Sequence, residues 1–430
     1  MEENVLEGFV EFLPGYKESE ENIQNNSEII TLNDDQNAAL LLAKVWWLSG
    51  EKRPFILEGC AGSGKTTIIK FLVEEIGITK YNVVFCTFTG KAASQLQRKG
   101  NNATTIHKLI YNPFEDPKTH EIRFTLKPEI EGDIKLIVVD EYGMVDDKMM
   151  NDLESFGIPI ILVGDPYQLP PIGKPNKYLV LPETEKDIIL TQPMRQSLDS
   201  PIVYLADLAR KGERIKYGNY GNCKVIRKSS IDIDEFLAAD QIIAGKNITV
   251  KKLNQFYRHN KGIRGVLPKK GERLMCLKND WRTLCTEGNI STSLINGLPV
   301  ILETDFSDTM EKLKIARASV RPEFFTESKF SNIQIDLMFF EKDWNNFQEY
   351  QNIKDNESFK DIIERRRMFE FGTGTKINPF TFGYVCTCYK FQGSEAPNVF
   401  FIQEYMGKNI YKQHLYTGIT RASEKLTLVL

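Results

Sequence analysis

Residues Gly59-Cys60-Ala61-Gly62-Ser63-Gly64-Lys65-Thr66 have the spacing G-x-x-x-x-G-K-[ST]. The apolar run PFILE precedes them and the helix-like run TIIKFLVEEI follows, the context in which this spacing builds a phosphate cradle. The glycines let backbone N–H groups from Gly59 to Thr67 close around phosphate oxygens. Lys65 can neutralise β/γ oxygens, and the Thr66 hydroxyl suits a Mg²⁺ ion. Cys60 is a passenger in the loop. About 75 residues later the run Leu136-Ile137-Val138-Val139 ends in Asp140-Glu141. Alone, this is a strand end with two solvated acids. Downstream of a phosphate loop it reads as catalytic, with Asp140 holding Mg²⁺ through water and Glu141 polarising the attacking water. ATP and Mg²⁺ are the implied cofactors.

These groups need strand ends to hold them. From Leu32 to about Thr191, short runs that are apolar throughout (PFILEG, NVVFCTF, LIVVDE, IPIILVGD, DIILT) alternate with helix-like stretches. That pattern predicts a parallel sheet covered on both faces, an α/β architecture. A second set begins near Pro201, includes AADQIIAG, and resumes after Phe380 with FTFGYVCTC, NVFFIQ and KLTLVL. Between about Gly271 and Phe340 the period changes to short alternating strands, clearest at Ile333, Ile335 and Leu337, which predicts an inserted β domain. Trp344, Phe347, Tyr350 and Ile353 then recur every third residue, as in a helix. The first thirty or so residues are rich in Glu, Asn and Ser and read as an acidic extension.

Hydrophobic residues make up 41% and charged residues 26% of the 430, an ordinary globular balance with room for two to four domains. No apolar run reaches the length of a membrane span, and the N-terminus is acidic where a signal peptide is basic, so an intracellular, cytoplasmic protein is expected. The seven cysteines are scattered without metal spacing and read as reduced core thiols. A net charge of −3 gives no global attraction to polyanions, so any nucleic-acid groove must be local.

Gly164-Asp165-Pro166-Tyr167-Gln168-Leu169-Pro170-Pro171 resembles motif III of superfamily 1 class B helicases, the 5′→3′ DNA helicases of the RecD/Dda type, which include phage proteins. Read from its residues alone, the segment is a rigid connector. Further motifs follow in family order from Leu32 to Leu430. Leu32-Asn33-Asp34-Asp35-Gln36 is similar to the Q motif, which places Gln36 at the adenine, although the same residues could simply cap a helix. Phe85 to Ala93 resembles motif Ia and Ala103 to His107 the segment after it. Thr89, Lys91, Thr105 and His107 are the implied contacts to single-stranded DNA, although a histidine such as His107 is more often a satisfied packing residue. Leu190 to Gln196 resembles motif IV and Tyr416 to Ala422 motif VI. Arg195 and Arg421 are the implied arginine fingers, with surface ion pairs as the alternative. Thr387 to Glu395 resembles motif V, giving Lys390 to the DNA and Gln392 and Gly393 to the nucleotide cleft. Ile242 to Val250 resembles a track-binding strand and helix, giving Lys246 and Asn247 to the backbone. Gly271 to Met275 with Ile295 to Val300 resembles the family's SH3-like insertion. One departure stands after Asp140-Glu141: Gly143 occupies the family's serine position.

The resemblance implies two RecA-like P-loop domains with an inserted β-hairpin (the pin) and an inserted SH3-like β domain. The expected division is an N-terminal extension over 1–31, a first lobe over 32–195 with its hairpin at about 108–132, a second lobe over 196–270 and 375–430, and the insertion with a helical extension over 271–374. Lys65, Glu141, Gln168, Arg195 and Arg421 form the implied catalytic set. Single-stranded DNA and duplex junctions are the implied partners, with no membrane. A strand-splitting hairpin is expected between Leu109 and Leu126, where Glu121 to Leu126 alternate and Asn112-Pro113 and Asp116-Pro117 supply turns. Its Phe114 either stacks on a base or tucks onto the inserted β domain. A regulatory ATPase that never moves on nucleic acid, a phosphotransferase and an RNA helicase are the alternative readings.

Overall fold

The computed structural model describes residues 32–115, 122–171, 174–192, 194, 199–288, 290–341, 357–408 and 410–430. In chain order, the first lobe holds α1 (Asp34–Ser49), β1 (Phe55–Gly59), α2 (Lys65–Glu75), β2 (Val83–Thr87), α3 (Gly90–Arg98), β3 (Ala103–Thr105) and α4 (Ile106–Ile110). It continues with β4 (Tyr111–Glu115), β5 (Ile122–Leu126), β6 (Leu136–Asp140), α5 (Asp147–Glu154), β7 (Ile160–Gly164) and β8 (Ile188–Leu190). Strands β1, β2 and β7 are buried at every residue, as continuous apolar runs demand. They lie in a six-stranded sheet of order β3-β2-β6-β7-β1-β8, parallel at each pairing. Ile68, Leu72 and Trp46 pack one face, and Ile106, Met150 and Tyr142 the other.

The second lobe opens with α6 (Pro201–Lys211), β9 (Gly218–Tyr220), β10 (Cys223–Ile226), α7 (Ile233–Leu237), β11 (Gln241–Ala244) and α8 (Asn247–Asn260). The chain then leaves for β12 (Arg273–Cys276), β13 (Asp280–Glu287), β14 (Ile290–Leu294), β15 (Pro299–Leu302), β16 (Ser307–Met310), β17 (Ile315–Pro322), β18 (Phe330–Asp336), α9 (Met338–Glu341), α10 (Glu357–Thr373) and β19 (Ile377–Phe382). It returns with β20 (Val385–Thr387), β21 (Ala396–Ile402), α11 (Tyr411–Ile419) and β22 (Ala422–Val429). The second sheet has the order β20-β11-β21-β22-β10-β9, parallel except for the edge strand β9.

The inserted sheet runs β15-β12-β19-β18-β17-β16, and a further β15–β17 pairing closes five of these strands into a ring. This moves the expected boundary. The return to the second lobe falls after Phe382, not at 375, because β19 fills the place between β12 and β18. Closure also buries Gln334 and Asp336, which alternate with Ile333, Ile335 and Leu337 along β18 and beyond it. Arg366 of α10 makes two bonds, of 3.0 and 2.9 Å, to the Asp336 carboxylate. The helix-like spacing from Trp344 to Ile353 and the extension over 1–31 lie outside the described residues.

The expected hairpin is β4 paired antiparallel with β5, from Tyr111↔Leu126 to Glu115↔Ile122. Residues 108–110, expected within it, complete α4 instead, where Thr105 caps the helix. All seven cysteines are buried and free. Among the described residues no helix is long and apolar enough to cross a membrane.

Candidate functional site

The C-terminal ends of β1, β6 and β7 converge. Glu58 pairs with Gly164 and Asp140 with Val163, so the phosphate loop, the Asp140-Glu141 pair and the Asp165 to Leu169 loop emerge side by side. Such an edge is where open α/β sheets bind ligands. Gly64 holds φ +80°, and a Cβ there would lie 2.6 Å from Gln36 Nε2, so the sharp turn into α2 needs glycine. No side chain caps α2, whose first N–H groups face the loop as an anion site requires. Lys65 Nζ donates to the Gly59 and Cys60 carbonyls at 2.7 and 3.0 Å and lies 4.0 Å from Asp165 Oδ2. Thr66 is exposed and Thr67 half-buried on the first turn, while Ser63 Oγ is tied to the Cys60 carbonyl. Burial pushes the Cys60 thiol up, keeping it protonated.

Gln36 does two jobs at once. With Asn33 it forms a capping box, and its Nε2 donates to the Ser63 carbonyl at 3.0 Å. The helix cap offered by these residues is present, and the same side chain also reaches the phosphate loop.

Glu141 sits in the left-handed region at φ 55°, a conformation that costs a non-glycine residue about 1–3 kcal/mol and that gathers at functional sites. Its N–H donates to Asp140 Oδ1 at 3.1 Å, and its Oε1 accepts from Gln168 Nε2 at 3.4 Å. Burial, and then the charge of Glu141, raise the Asp140 carboxyl above its usual range. A divalent cation would offset both effects, and the Thr66 hydroxyl with the Asp140 carboxylate is a hard-oxygen donor set that fits Mg²⁺. At Gly143 a Cβ would meet Leu179 Cδ1 at 3.6 Å, an ordinary contact, so a serine would fit and steric exclusion does not explain the glycine.

The second lobe reaches into this site. Tyr416 on α11 donates its hydroxyl to Asp165 Oδ2 at 2.7 Å, and the Tyr416 hydroxyl oxygen accepts from Ala61 N at 2.6 Å. Thr417 Oγ1 accepts from Leu169 N, and Gln392 Nε2 donates to the Leu169 carbonyl, both at 2.8 Å. Glu141, Gln168, Leu169 and Gln392 line one cleft of about 260 Å³. A Cβ on Gly393 would stand 3.9 Å from Thr89 Oγ1, so this glycine approaches the motif Ia helix rather than the phosphate loop. Arg421 is buried and spends its guanidinium on the Thr417 and Ser394 carbonyls and on Thr420 Oγ1. Arg195 lies outside the described residues.

The residues assigned to the track gather on another face. Thr89 and Thr105 cap α3 and α4 through their hydroxyls. Lys91 Nζ stands 4.4 Å over the Phe391 ring of the second lobe, and burial lowers both Lys91 and Lys390. His107 joins an aromatic cluster: it stacks on Trp281 of β13 at 5.1 Å and meets the edge of Phe124 of the hairpin at 5.6 Å. These rings line a second cleft of about 280 Å³ with Thr105 and Lys108. Phe114 is 41% exposed. Phe124 packs on the inserted domain, 5.6 Å from Trp281. Asn247 starts α8, where the N–H groups of Gly245 and Lys246 donate to Glu404 Oε2 at 2.8 Å each. This carboxylate occupies the helix end expected to hold backbone phosphate.

Tyr416, Thr417, Asp165, Trp281 and Glu404 carry no role in the sequence reading. The first three fall inside quoted motifs, which was the available signal; Trp281 and Glu404 give none, since only the fold brings them to the cleft.

Residues 31–229 match the family model described as an AAA domain, and residues 382–429 the one described as a UvrD-like helicase C-terminal domain. The ATP-dependent RecD2 DNA helicase of Deinococcus radiodurans is 34% identical over 175 residues, covering 39% of this chain and 23% of the relative. The ATP-dependent DNA helicase dda of Enterobacteria phage T4 is 29% identical over 176 residues, covering 38% of this chain and 39% of the relative. The chain thus spans about a quarter to two fifths of these curated relatives. A solved structure addressing DNA unwinding at forked dsDNA by two coordinating Pif1 helicases aligns with a TM-score of 0.50 at 17% identity, over 93% of this chain and 92% of its own. At that identity the likeness speaks to the fold alone, a RecA-like α/β core.

Proposed function

The chain belongs to the superfamily 1 class B helicases of the RecD/Dda type, and from that premise we propose that it is an ATP-dependent 5′→3′ DNA helicase, a motor that steps along single-stranded DNA and opens duplex junctions. One observation carries the coupling: the Tyr416 hydroxyl ties Ala61 of the phosphate loop and Asp165 of the next loop to the second lobe. Phosphate entering the cradle competes for the Ala61 N–H and the Lys65 ammonium, so it pulls on the joint between the lobes. A motor needs this, because stepping requires the grip of each lobe to differ between nucleotide states.

In this reading Lys65 and the α2 N-terminus hold the β/γ-phosphates and Gln36 fixes the loop beneath them. Glu141, held by Gln168, accepts the proton of the attacking water. Mg²⁺, when bound by Thr66 and Asp140, supplies charge neutralisation at the phosphate oxygens. Arg421 must give up its carbonyl partners to act as a finger, so lobe closure would release it; Arg195 is the second finger. Thr89, Lys91, Thr105 and Lys390 grip phosphates without reading sequence. Direction rests on the motif III resemblance at Gln168 to Pro171. The β4–β5 hairpin serves as the pin, and the ring closed by β15 and β17 supports the SH3-like reading of the insertion. The first lobe covers 32–195, the second 196–270 and 383–430. The protein works in the cytoplasm of the cell that expresses it.

ATP hydrolysis measured without nucleic acid, with single-stranded DNA and with single-stranded RNA tests this. Stimulation by DNA is expected. Equal rates in all three would leave a regulatory ATPase, and stimulation by RNA alone would change the track, since backbone grips do not by themselves exclude the 2′-hydroxyl. Duplexes tailed on one side then decide direction: unwinding only from 3′ tails would overturn the class B polarity.

A further inference from the structure

The outer edge of the second sheet is basic in an acidic chain. Residues 211–230 hold six lysines and arginines against one acid, Glu213, while the whole chain carries −3. Two of the six are already paired, Lys211 with Asp207 and Lys224 with Glu235. Arg214, Lys216, Arg227 and Lys228 are exposed, and among the described residues no carboxylate is in ion-pair contact with them. Exposed tyrosines stand between them. Tyr217 is 48% exposed with the Arg227 guanidinium 5.0 Å from its ring. Tyr204 is 51% exposed and lies 6.0 Å from Tyr220, whose hydroxyl donates to the Lys216 carbonyl.

An edge strand guarded against aggregation needs charge, and Lys216 with Lys228 would suffice. It does not need two half-exposed aromatic rings braced by arginine and tyrosine. Cations alternating with aromatic faces are how proteins hold single-stranded nucleic acid, phosphates on the cations and bases on the rings.

Position adds to this. Strand β10 is parallel to β22, β22 to β21 and β21 to β11, so the C-terminal ends of β10 and β11 lie on one side of the sheet. The end of β11 leads to Lys246 and Asn247; the end of β10 leads to Arg227 and Lys228. Four strand spacings separate β11 from β9, about 19 Å, beyond the reach of screened charge at ordinary salt.

We propose that this edge is an outer extension of the nucleic-acid track, where Arg214, Lys216, Arg227 and Lys228 hold phosphates of single-stranded DNA that has passed the lobe cleft and Tyr204 and Tyr217 stack its bases. The inference rests on the helicase reading for its ligand. It adds a second grip outside the motor site, used by long strands and not by short ones.

The test compares the wild type with the combined Arg214→Gln, Lys216→Gln, Arg227→Gln, Lys228→Gln variant and with Tyr204→Ala, Tyr217→Ala, in fluorescence anisotropy against oligothymidylates of about 8 and about 30 nucleotides. For the longer strand the charge variant should bind about tenfold more weakly, with a salt slope smaller by about 3, since each single-strand phosphate contact contributes about 0.7. The tyrosine variant should weaken it without changing the slope. Binding of the short strand, and the ATPase it stimulates, should be unchanged. Wild-type affinity and slope in the charge variant would overturn the proposal. So would equal losses on both lengths, which would place these residues in the motor track, or displacement of the long strand by polyglutamate of equal charge, which would mark a general polyanion surface. If the wild type shows no DNA-stimulated ATPase the helicase reading fails, while anisotropy still reports on the edge.

Discussion

Tyr416 and Asp165 meet across the two lobes, hydroxyl to carboxylate at 2.7 Å, with Lys65 Nζ 4.0 Å from the same carboxylate oxygen. Burial raises the Asp165 carboxyl, while Lys65 and then the Tyr416 hydrogen bond act to keep it ionised. Burial and the neighbouring Asp165 drive the Tyr416 phenol well above its ordinary value, so it stays a donor at any working pH. Tyr416→Phe removes this bond and the acceptor for Ala61 N–H while keeping the ring. Losing a hydrogen bond to a charged group costs about 1.5–3 kcal/mol, so DNA-stimulated kcat should fall at least tenfold. Basal nucleotide binding, read by a fluorescent analogue, should change far less. An equal fall in both would make Tyr416 part of the binding site and not of the coupling.

Lys65→Ala should abolish turnover while the thermal unfolding midpoint stays close to wild type. The side chain bonds loop carbonyls and stands 4.0 Å from Asp165 at the edge of the cleft, so the main loss falls on the charge at the β/γ-phosphates. Near-normal turnover in the folded variant would overturn the nucleotide-site assignment.

Arg421→Ala should keep nucleotide binding and lose most hydrolysis, because a finger acts chiefly in the transition state. The structure adds a cost, since three hydrogen bonds inside the second lobe vanish and the Ser394 and Thr417 carbonyls lose a donor. Some loss of stability is therefore expected. Arg421→Lys separates the two effects: it keeps a charge but not the fork. Full activity in Arg421→Lys would argue against a finger and for simple charge compensation.

Lys91 gives a pH dependence. Desolvation first, partly offset by Glu323, pushes its ammonium down from 10.5 to about 8. Between those values the unfolded chain holds the proton and the folded chain does not, so this group makes stability rise with pH across that window. The grip on the track proposed for Lys91 goes the other way, because a phosphate contact there would need the charge and lose it as pH rises through about 8. Affinity for single-stranded DNA should fall between about pH 7 and about pH 9 at constant salt, and Lys91→Arg should flatten that fall, since guanidinium does not titrate there. A fall of the same size in Lys91→Arg would assign it to another group.

Motif spacing and apolar period made the first lobe legible: the runs FILEG, VVFCT, LIVVD and IILVG are strands, and the candidate nucleotide-site residues follow the C-terminal ends of three of them. Contacts that join distant segments were not legible. Glu404 lies about 158 residues from Lys246 and caps its N–H only because β21 and β11 are neighbours. Trp281 sits in an insertion whose local sequence says strand and nothing of His107. The β19 boundary was missed because its run is apolar and reads equally as lobe or insertion, and pairing with β12 and β18 decides. The burial of Asp336 depends on Arg366, thirty residues away on α10, which no local pattern announces.

The hairpin carries the last prediction. Phe114 and Phe124 are near neighbours across it, Phe114 opposite Arg123 and Phe124 opposite Pro113, and on antiparallel strands adjacent registers point to opposite faces. Phe124 turns inward to His107 and Trp281, and Phe114 stays 41% exposed. Their losses should therefore differ in kind. Phe114→Ala removes an exposed ring that can stack on a melted base, an interaction worth roughly 1–3 kcal/mol. It should slow duplex unwinding while leaving DNA-stimulated ATPase and translocation intact. Phe124→Ala empties the packing between hairpin and insertion, and should lower thermal stability as well as unwinding, by less than the roughly 3–5 kcal/mol lost when a fully buried Phe is truncated, because this ring is half-buried. Unwinding and ATPase measured on one preparation of each variant decide the matter: unchanged unwinding in Phe114→Ala would clear that ring of a part in strand separation, and loss of both activities there would mean that the hairpin itself had been disturbed.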